Sequence, residues 1–304
     1  MWSGLNWGTR GFKLLDRQGL AIKAVKTGLV VNLVLVLVKL AAGILGHSYA
    51  LVADAVESSL DVFSSIVVWA GVRISNRPAS EDFPYGFGKA DALAAAVVSF
   101  MLLGASVGIA VAAIHEILTP HHLPSPFTLA VIPGVILVKE LLFRRVLQVG
   151  EQTGSGAVNA DAWHHRSDAI TSGAAFVGIG IALVGGPGWE SADDWAALLA
   201  AGIIAMNGAI LLRGVVNDLM DRMPSNELVA DVDSAARSVE GVHHTEKMAI
   251  RRHGADYYVD LHVQANPLLT LHDAHILSGK VKGAIRSKVP RVANVLIHME
   301  PFEG

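Results

Sequence analysis

The chain has 304 residues, of which 52% are hydrophobic and 17% charged, and its mean hydropathy is +0.46. A composition this apolar excludes an ordinary soluble protein and indicates a membrane class. The formal net charge of −3 gives no basic footprint for nucleic acid, and the absence of cysteine leaves only His, Asp and Glu for metal chemistry.

Residues 1–23 form a mixed N-terminal segment, with Trp2, Trp7 and Phe12 among Arg10, Lys13 and Arg17, suited to lie at a membrane surface. Residues 24–215 hold six long apolar runs, each near the ~20 residues a bilayer core requires. The first, 24–45, is interrupted by Asn32 and Lys39, and the second, 49–74, by Asp54, Glu57 and Asp61. A loop follows, punctuated by Pro84-Tyr85-Gly86-Phe87-Gly88. The third run, 90–118, is rich in small residues suited to close helix packing. The fourth, 129–149, carries Lys139, Glu140, Arg144 and Arg145, charges that mark a membrane interface. The fifth, 158–184, contains Asp161, His164 and Asp168, and the sixth spans 195–215. Glu190, Asp193 and Asp194 fall in the loop between these two and read as solvated acids.

Lys and Arg alternate regularly from one set of loops to the other, which places both termini in the cytoplasm of an inner-membrane protein. The second and fifth runs carry matched polar faces: Asp54, Glu57 and Asp61 on one, Asp161, His164 and Asp168 on the other, at i, i+3 and i+7. Ionisable groups at this depth cost ~2.5–3.5 kcal/mol apiece on insertion scales, so something must compensate them. Counted at ~1.5 Å per residue, Glu57 and Asp168 fall ~13 Å below the outer face, and Asp61 and His164 ~20 Å. Glu57, Asp61, His164 and Asp168 thus offer three carboxylates and an imidazole at a shared depth, a set suited to a divalent first-row metal. The alternative for the same residues is a set of buried ion pairs holding two helices together.

Residues 216–225 read as a linker and 226–304 as a soluble domain. Helix, strand, strand, helix, strand is the predicted order, an α+β sandwich short enough to rely on a partner copy. Tyr257 to Gln264 alternates as a half-buried strand should. Histidines are dense here, and His262, His275, His298 and Glu300 are candidates to chelate a cation.

The pairs Glu57-x-x-x-Asp61 and His164-x-x-x-Asp168 resemble those of the cation diffusion facilitator family of divalent metal/proton antiporters. So do Ser48-Tyr-Ala-Leu-Val-Ala-Asp54, Pro84-Tyr-Gly-Phe-Gly-Lys-Ala-Asp91 and Ile297-His-Met-Glu-Pro301, in order from the first span to the C-terminus. The resemblance implies six transmembrane helices above a ferredoxin-like (αββαβ) cytoplasmic domain, assembled as a homodimer in the lipid bilayer. It implies that Glu57, Asp61, His164 and Asp168 carry the metal, with Zn2+ first; Fe2+, Co2+ and Mn2+ stand behind it because zinc-transporting members commonly have His or Asp where Glu57 stands. It places Glu246, His262, His275, His298 and Glu300 at a cytoplasmic metal site, with Glu246 replacing a histidine. Lys89 and Asp221 match an inter-protomer charge pair. Phe83 and Phe87 stand where many members have histidines, so a loop site is expected to be lost or crippled.

The expected activity is export of metal from the cytoplasm against protons, without enzymatic chemistry. Two alternatives draw on the same ligands: a membrane-anchored metal-sensing module, and an intramembrane hydrolase in which a metal activates water.

Overall fold

The computed structural model describes residues 7–45, 49–118, 128–186, 188–189 and 191–303. The chain divides into two compact units, Met1–Val215 and Val216–Gly304. The first is helical: α1 (Trp7–Leu45), α2 (Tyr49–Ser75), α3 (Lys89–Leu118), α4 (Thr128–Thr153), α5 (Gly156–Gly185) and α6 (Ala192–Leu219). Trp7 to Leu45 is one helix, so the N-terminal segment expected at the membrane surface continues directly into the first span. Asp193 and Asp194, expected in a loop, lie instead in the first turn of α6.

Among the described residues, Gly19–Val38, Lys89–Leu118 and Asp194–Leu219 are long and apolar enough to cross a membrane, with mean hydropathies of 2.0, 2.4 and 2.0. Helix α4 carries Lys139, Glu140, Arg144 and Arg145, and α5 carries Asp161, Arg166 and Asp168 in its first half, ahead of the apolar stretch that follows. Leu93, Val97, Phe100, Val107 and Val111 are exposed along one side of α3. Their spacing makes a continuous apolar stripe, which suits lipid rather than water. On the other side, Ala94, Ala95, Val98 and Leu102 are buried.

Helix α5 packs against α4, α3 and α2, and α1 packs against α2 and α4. The α2/α3 crossing depends on Gly71, where an added Cβ would come within 2.2 Å of the Ala94 Cβ. Neither group can swing aside. Gly71→Ala should therefore force the helices apart and cost about 1–3 kcal/mol, as overpacking does. A thermal-unfolding midpoint equal to the parent's would contradict this packing.

Between α4 and α5 the chain reverses at Gly154, with φ of 72°, and Ser155. The α5 N-terminus would leave buried N–H groups unpaired. Asp91, near the start of α3, meets them: its Oδ2 accepts from the Gly156 N–H at 2.6 Å and the Ala157 N–H at 3.4 Å, and its Oδ1 accepts from the Ser155 hydroxyl. Ser155 Oγ in turn accepts from the Val158 N–H at 3.2 Å. The Pro84 to Asp91 motif thus ends on the carboxylate that caps the helix bearing His164 and Asp168.

The second unit contains α7 (Asn226–Arg237), β1 (His244–His253), β2 (Asp256–Ala265), α8 (Leu271–Lys288) and β3 (Val292–Pro301). In the sheet order β1-β2-β3, β1 is antiparallel to β2, and β2 parallel to β3. A parallel pair needs a crossover, which α8 supplies. Both helices cover one sheet face: Val232, Ala235 and Ala236 of α7 and Leu277, Val281 and Ile285 of α8 join Ile250, Val259, Leu261 and Val263 in the core. The architecture is a helical transmembrane domain with a ferredoxin-like cytoplasmic domain.

Candidate metal centres

In the membrane unit, Glu57 and Asp61 stand one turn apart on α2; their side chains lie outside the described residues, as do those of Asp54 and Lys39. His164 and Asp168 stand one turn apart on α5, which packs against α2. His164 is buried, and Asp168 is 26% exposed. The next residue, His165, is fully buried with Nε2 3.8 Å from Asp161 Oδ2. Both face Gly28 of α1, where an added Cβ would lie 3.4 Å from His165 Nε2 and 3.9 Å from Asp161 Oδ2. Asp161 is thus set beside a histidine that the sequence reading left unassigned.

Lys139 departs most from expectation. Read as an interface charge, it is instead 3% exposed, with its Nζ 2.8 Å from Asp168 Oδ2 and 3.2 Å from Asn32 Oδ1. Asn32 donates onward from Nδ2 to Ser65 Oγ at 3.3 Å. The physical reason is the usual one for buried charge: an ammonium in this unit must find a carboxylate, and Asp168 is within its reach. Glu140 and Arg144 do behave as a peripheral pair, at 2.7 Å with Arg144 exposed. Arg166 lays its guanidinium 4.5 Å from the Phe143 ring centre and 5.7 Å from that of Trp163.

In the cytoplasmic unit, β2 buries Val259, Leu261, Val263 and Ala265 beneath the helices, leaving Asp260, His262 and Gln264 on the opposite face. Strand register then sets Glu246, His262 and His298 side by side across β1, β2 and β3, with Glu300 two residues further along β3. His262 Nδ1 is 2.7 Å from Glu300 Oε1, and His298 Nε2 is 3.8 Å from the same oxygen. One ligand atom from each lies within 4.8 Å of the others, so two imidazoles and a carboxylate could converge on one divalent ion.

Glu246 enters through a lysine. A bulge between Glu246 and Ala249 sets Lys247 at φ of 47°, and its Nζ lies 2.9 Å from Glu246 Oε1 and 3.4 Å from Glu300 Oε1. The bonded Glu246 carboxylate raises the Lys247 pKa. The hydrogen bond from His262, helped by Lys247, holds Glu300 below its ordinary value of 4.5. His275 does not join this group within one protomer. It is exposed on α8, which packs on the other face of the sheet.

A depressed carboxylate pKa means that ionised Glu300 stabilises the folded domain above 4.5, a contribution lost as pH falls through the lowered folded value. In acid titrations followed by circular dichroism, Glu300→Gln should flatten the stability loss below pH 4.5. Identical titration curves for parent and variant would contradict this.

Lys89 opens α3, half-buried, and Asp221 is exposed in the turn after α6 with φ of 55°. The two belong to different units. Where a loop site would use histidines, the Phe83 and Phe87 rings pack on each other with centres 4.6 Å apart, beside exposed Glu81 and Asp82.

Two family models match the chain: "Cation efflux transmembrane domain" over residues 25–220 and "Cation efflux protein, cytoplasmic domain" over residues 224–302. The chain is 30% identical over 291 residues to the manganese efflux system protein MneP of Bacillus subtilis, covering 94% of this chain and 98% of that one. It is also 30% identical over 296 residues to the cation-efflux pump FieF of Cronobacter sakazakii, covering 95% of this chain and 93% of that one. A solved MamM CTD variant aligns with 25% of this chain and 96% of its own length, at 25% identity and a TM-score of 0.25. The chain therefore belongs to the cation diffusion facilitator, or cation efflux, family of integral-membrane transporters that export divalent metal cations.

Proposed function

We propose that the chain exports a divalent first-row cation from the cytoplasm in exchange for protons, through Glu57, Asp61, His164 and Asp168. One observation carries the reading: His164 and Asp168, a turn apart on α5, belong to a helix packed against α2, where Glu57 and Asp61 are also a turn apart. Metal ligation needs deprotonated carboxylates and a neutral imidazole, so protons compete directly with the cargo, and a more acidic exterior favours release.

Three oxygens and one nitrogen form a harder donor set than an imidazole-rich one. Together with the similarity to a manganese efflux protein, that puts Mn2+ and Fe2+ ahead of the Zn2+ that the family resemblance placed first, with Co2+ and Zn2+ also accepted. The protein acts as a homodimer with both termini cytoplasmic. It divides into an N-terminal segment (1–23), a transport domain (24–215), a linker (216–225) and a dimerising domain (226–304). In the last, His262, His298 and Glu300 take a regulatory cation, and the Lys89 and Asp221 charges tie the protomers at the membrane base. Exporting Mn2+ from proteoliposomes should drive a counterflow of protons that vanishes in Asp61→Ala and Asp168→Ala. Flux unchanged in both variants would reject the site. A competition series of Mn2+, Fe2+, Co2+ and Zn2+ then ranks the cargo.

A further inference from the structure

Lys139 has no place in the four-residue site, yet it holds one of that site's oxygens. Its ammonium is 3% exposed and lies 2.8 Å from Asp168 Oδ2. Its second partner, Asn32 Oδ1 at 3.2 Å, belongs to a side chain that is 1% exposed and bonded to fully buried Ser65. This polar chain joins α5, α4, α1 and α2, and it ends on α2 one turn beyond Asp61. It therefore connects the two helices that carry the proposed ligands.

We propose that Lys139 is a tethered counter-cation of the transport site, bound to Asp168 when no cargo is present and displaced toward Asn32 when a divalent ion takes that oxygen. The inference rests on the assignment of Asp168 to the transport site. Charge supports it: Glu57, Asp61 and Asp168 carry three negative charges, and with Lys139 the group carries two, which a single divalent ion neutralises. An ammonium and a divalent ion cannot share one carboxylate oxygen without strong repulsion, because Coulomb forces are little screened inside a protein. Asn32 already accepts from the ammonium at 3.2 Å, so an ammonium that gives up Asp168 to the cargo keeps one buried hydrogen-bond acceptor. The lysine thus keeps the empty site from standing fully charged in the membrane and weakens cargo binding enough for the ion to be released.

The test is Mn2+ transport by the full chain in proteoliposomes, with calorimetric Mn2+ binding in a His262→Ala/His298→Ala background that removes the cytoplasmic cluster's ligands. Lys139→Met should tighten binding at least tenfold and lower KM, while the maximal rate falls because release slows. Lys139→Arg, which keeps the charge, should stay within about threefold of the parent. Asn32→Ala, which removes the acceptor for the displaced ammonium, should weaken binding severalfold, and it tests the idea even where Lys139→Met does not fold. Unchanged or weaker binding in folded Lys139→Met, or parental affinity in Asn32→Ala, would overturn the proposal. Asp168→Asn separates the two levels. If it leaves binding intact, the transport-site assignment fails; if it abolishes binding while Lys139→Met brings no tightening, only the role of the lysine fails.

Discussion

His164→Ala and Asp168→Ala should both reduce Mn2+-driven proton flux to that of protein-free liposomes, and Asp168→Ala should also unfold at a markedly lower temperature. Each removes one of four proposed ligands, and in a site built for four donors the loss of one leaves the cation undercoordinated within the bilayer. Asp168 has a second duty, because the buried ammonium of Lys139 rests on it at 2.8 Å. Breaking a fully buried pair typically costs ~3–5 kcal/mol, since the surviving charge is stranded. Asp168 is 26% exposed, so the cost should fall toward the lower end of that range. Asp168→Asn should recover part of the stability and none of the flux. Flux and stability falling together in all three variants would mean that the residues hold helices together rather than bind cargo.

Asp91→Ala should be the most disruptive single change remote from the proposed ligands. The carboxylate accepts from the Ser155 hydroxyl and from the Gly156 and Ala157 N–H groups at a buried helix start. An ordinary cap is worth ~1 kcal/mol, and hydrogen bonds to a charged group ~1.5–3 kcal/mol each. Removing the acceptor leaves several buried donors unmet, for a loss on the order of 3 kcal/mol or more. Because α5 bears His164 and Asp168, flux should fall with stability. Asp91→Asn keeps one acceptor oxygen and should recover part of each. Asp91→Ala with a parental unfolding midpoint would remove this role from the motif.

Much of the molecule was legible in the chain itself. Long apolar runs broken by a few charges identify spans wherever they occur, because bilayer thickness fixes how long an apolar helix has to be. Alternation from Tyr257 to Gln264 gave β2 and the face on which His262 stands, because side-chain direction in a strand depends only on parity. The bulge after Glu246 was not legible, since an extra residue leaves the apolar pattern on either side intact. His275 could be assigned to a helix from the sequence, but which sheet face that helix covers is a matter of packing.

What residue types and their spacing determined is an apolar membrane unit, an αββαβ domain and paired polar faces on the second and fifth spans, all set by local periodicity and the cost of charge in lipid. Only the tertiary structure decided which groups satisfy those charges: Lys139 on Asp168, Asp91 on the first turn of α5, Lys247 between Glu246 and Glu300. A sequence shows that a buried charge needs a partner. The partner itself is settled by which helices and strands come to lie within about 3 Å, and the residues joined in this way are 29, 65 and 53 positions apart in the chain.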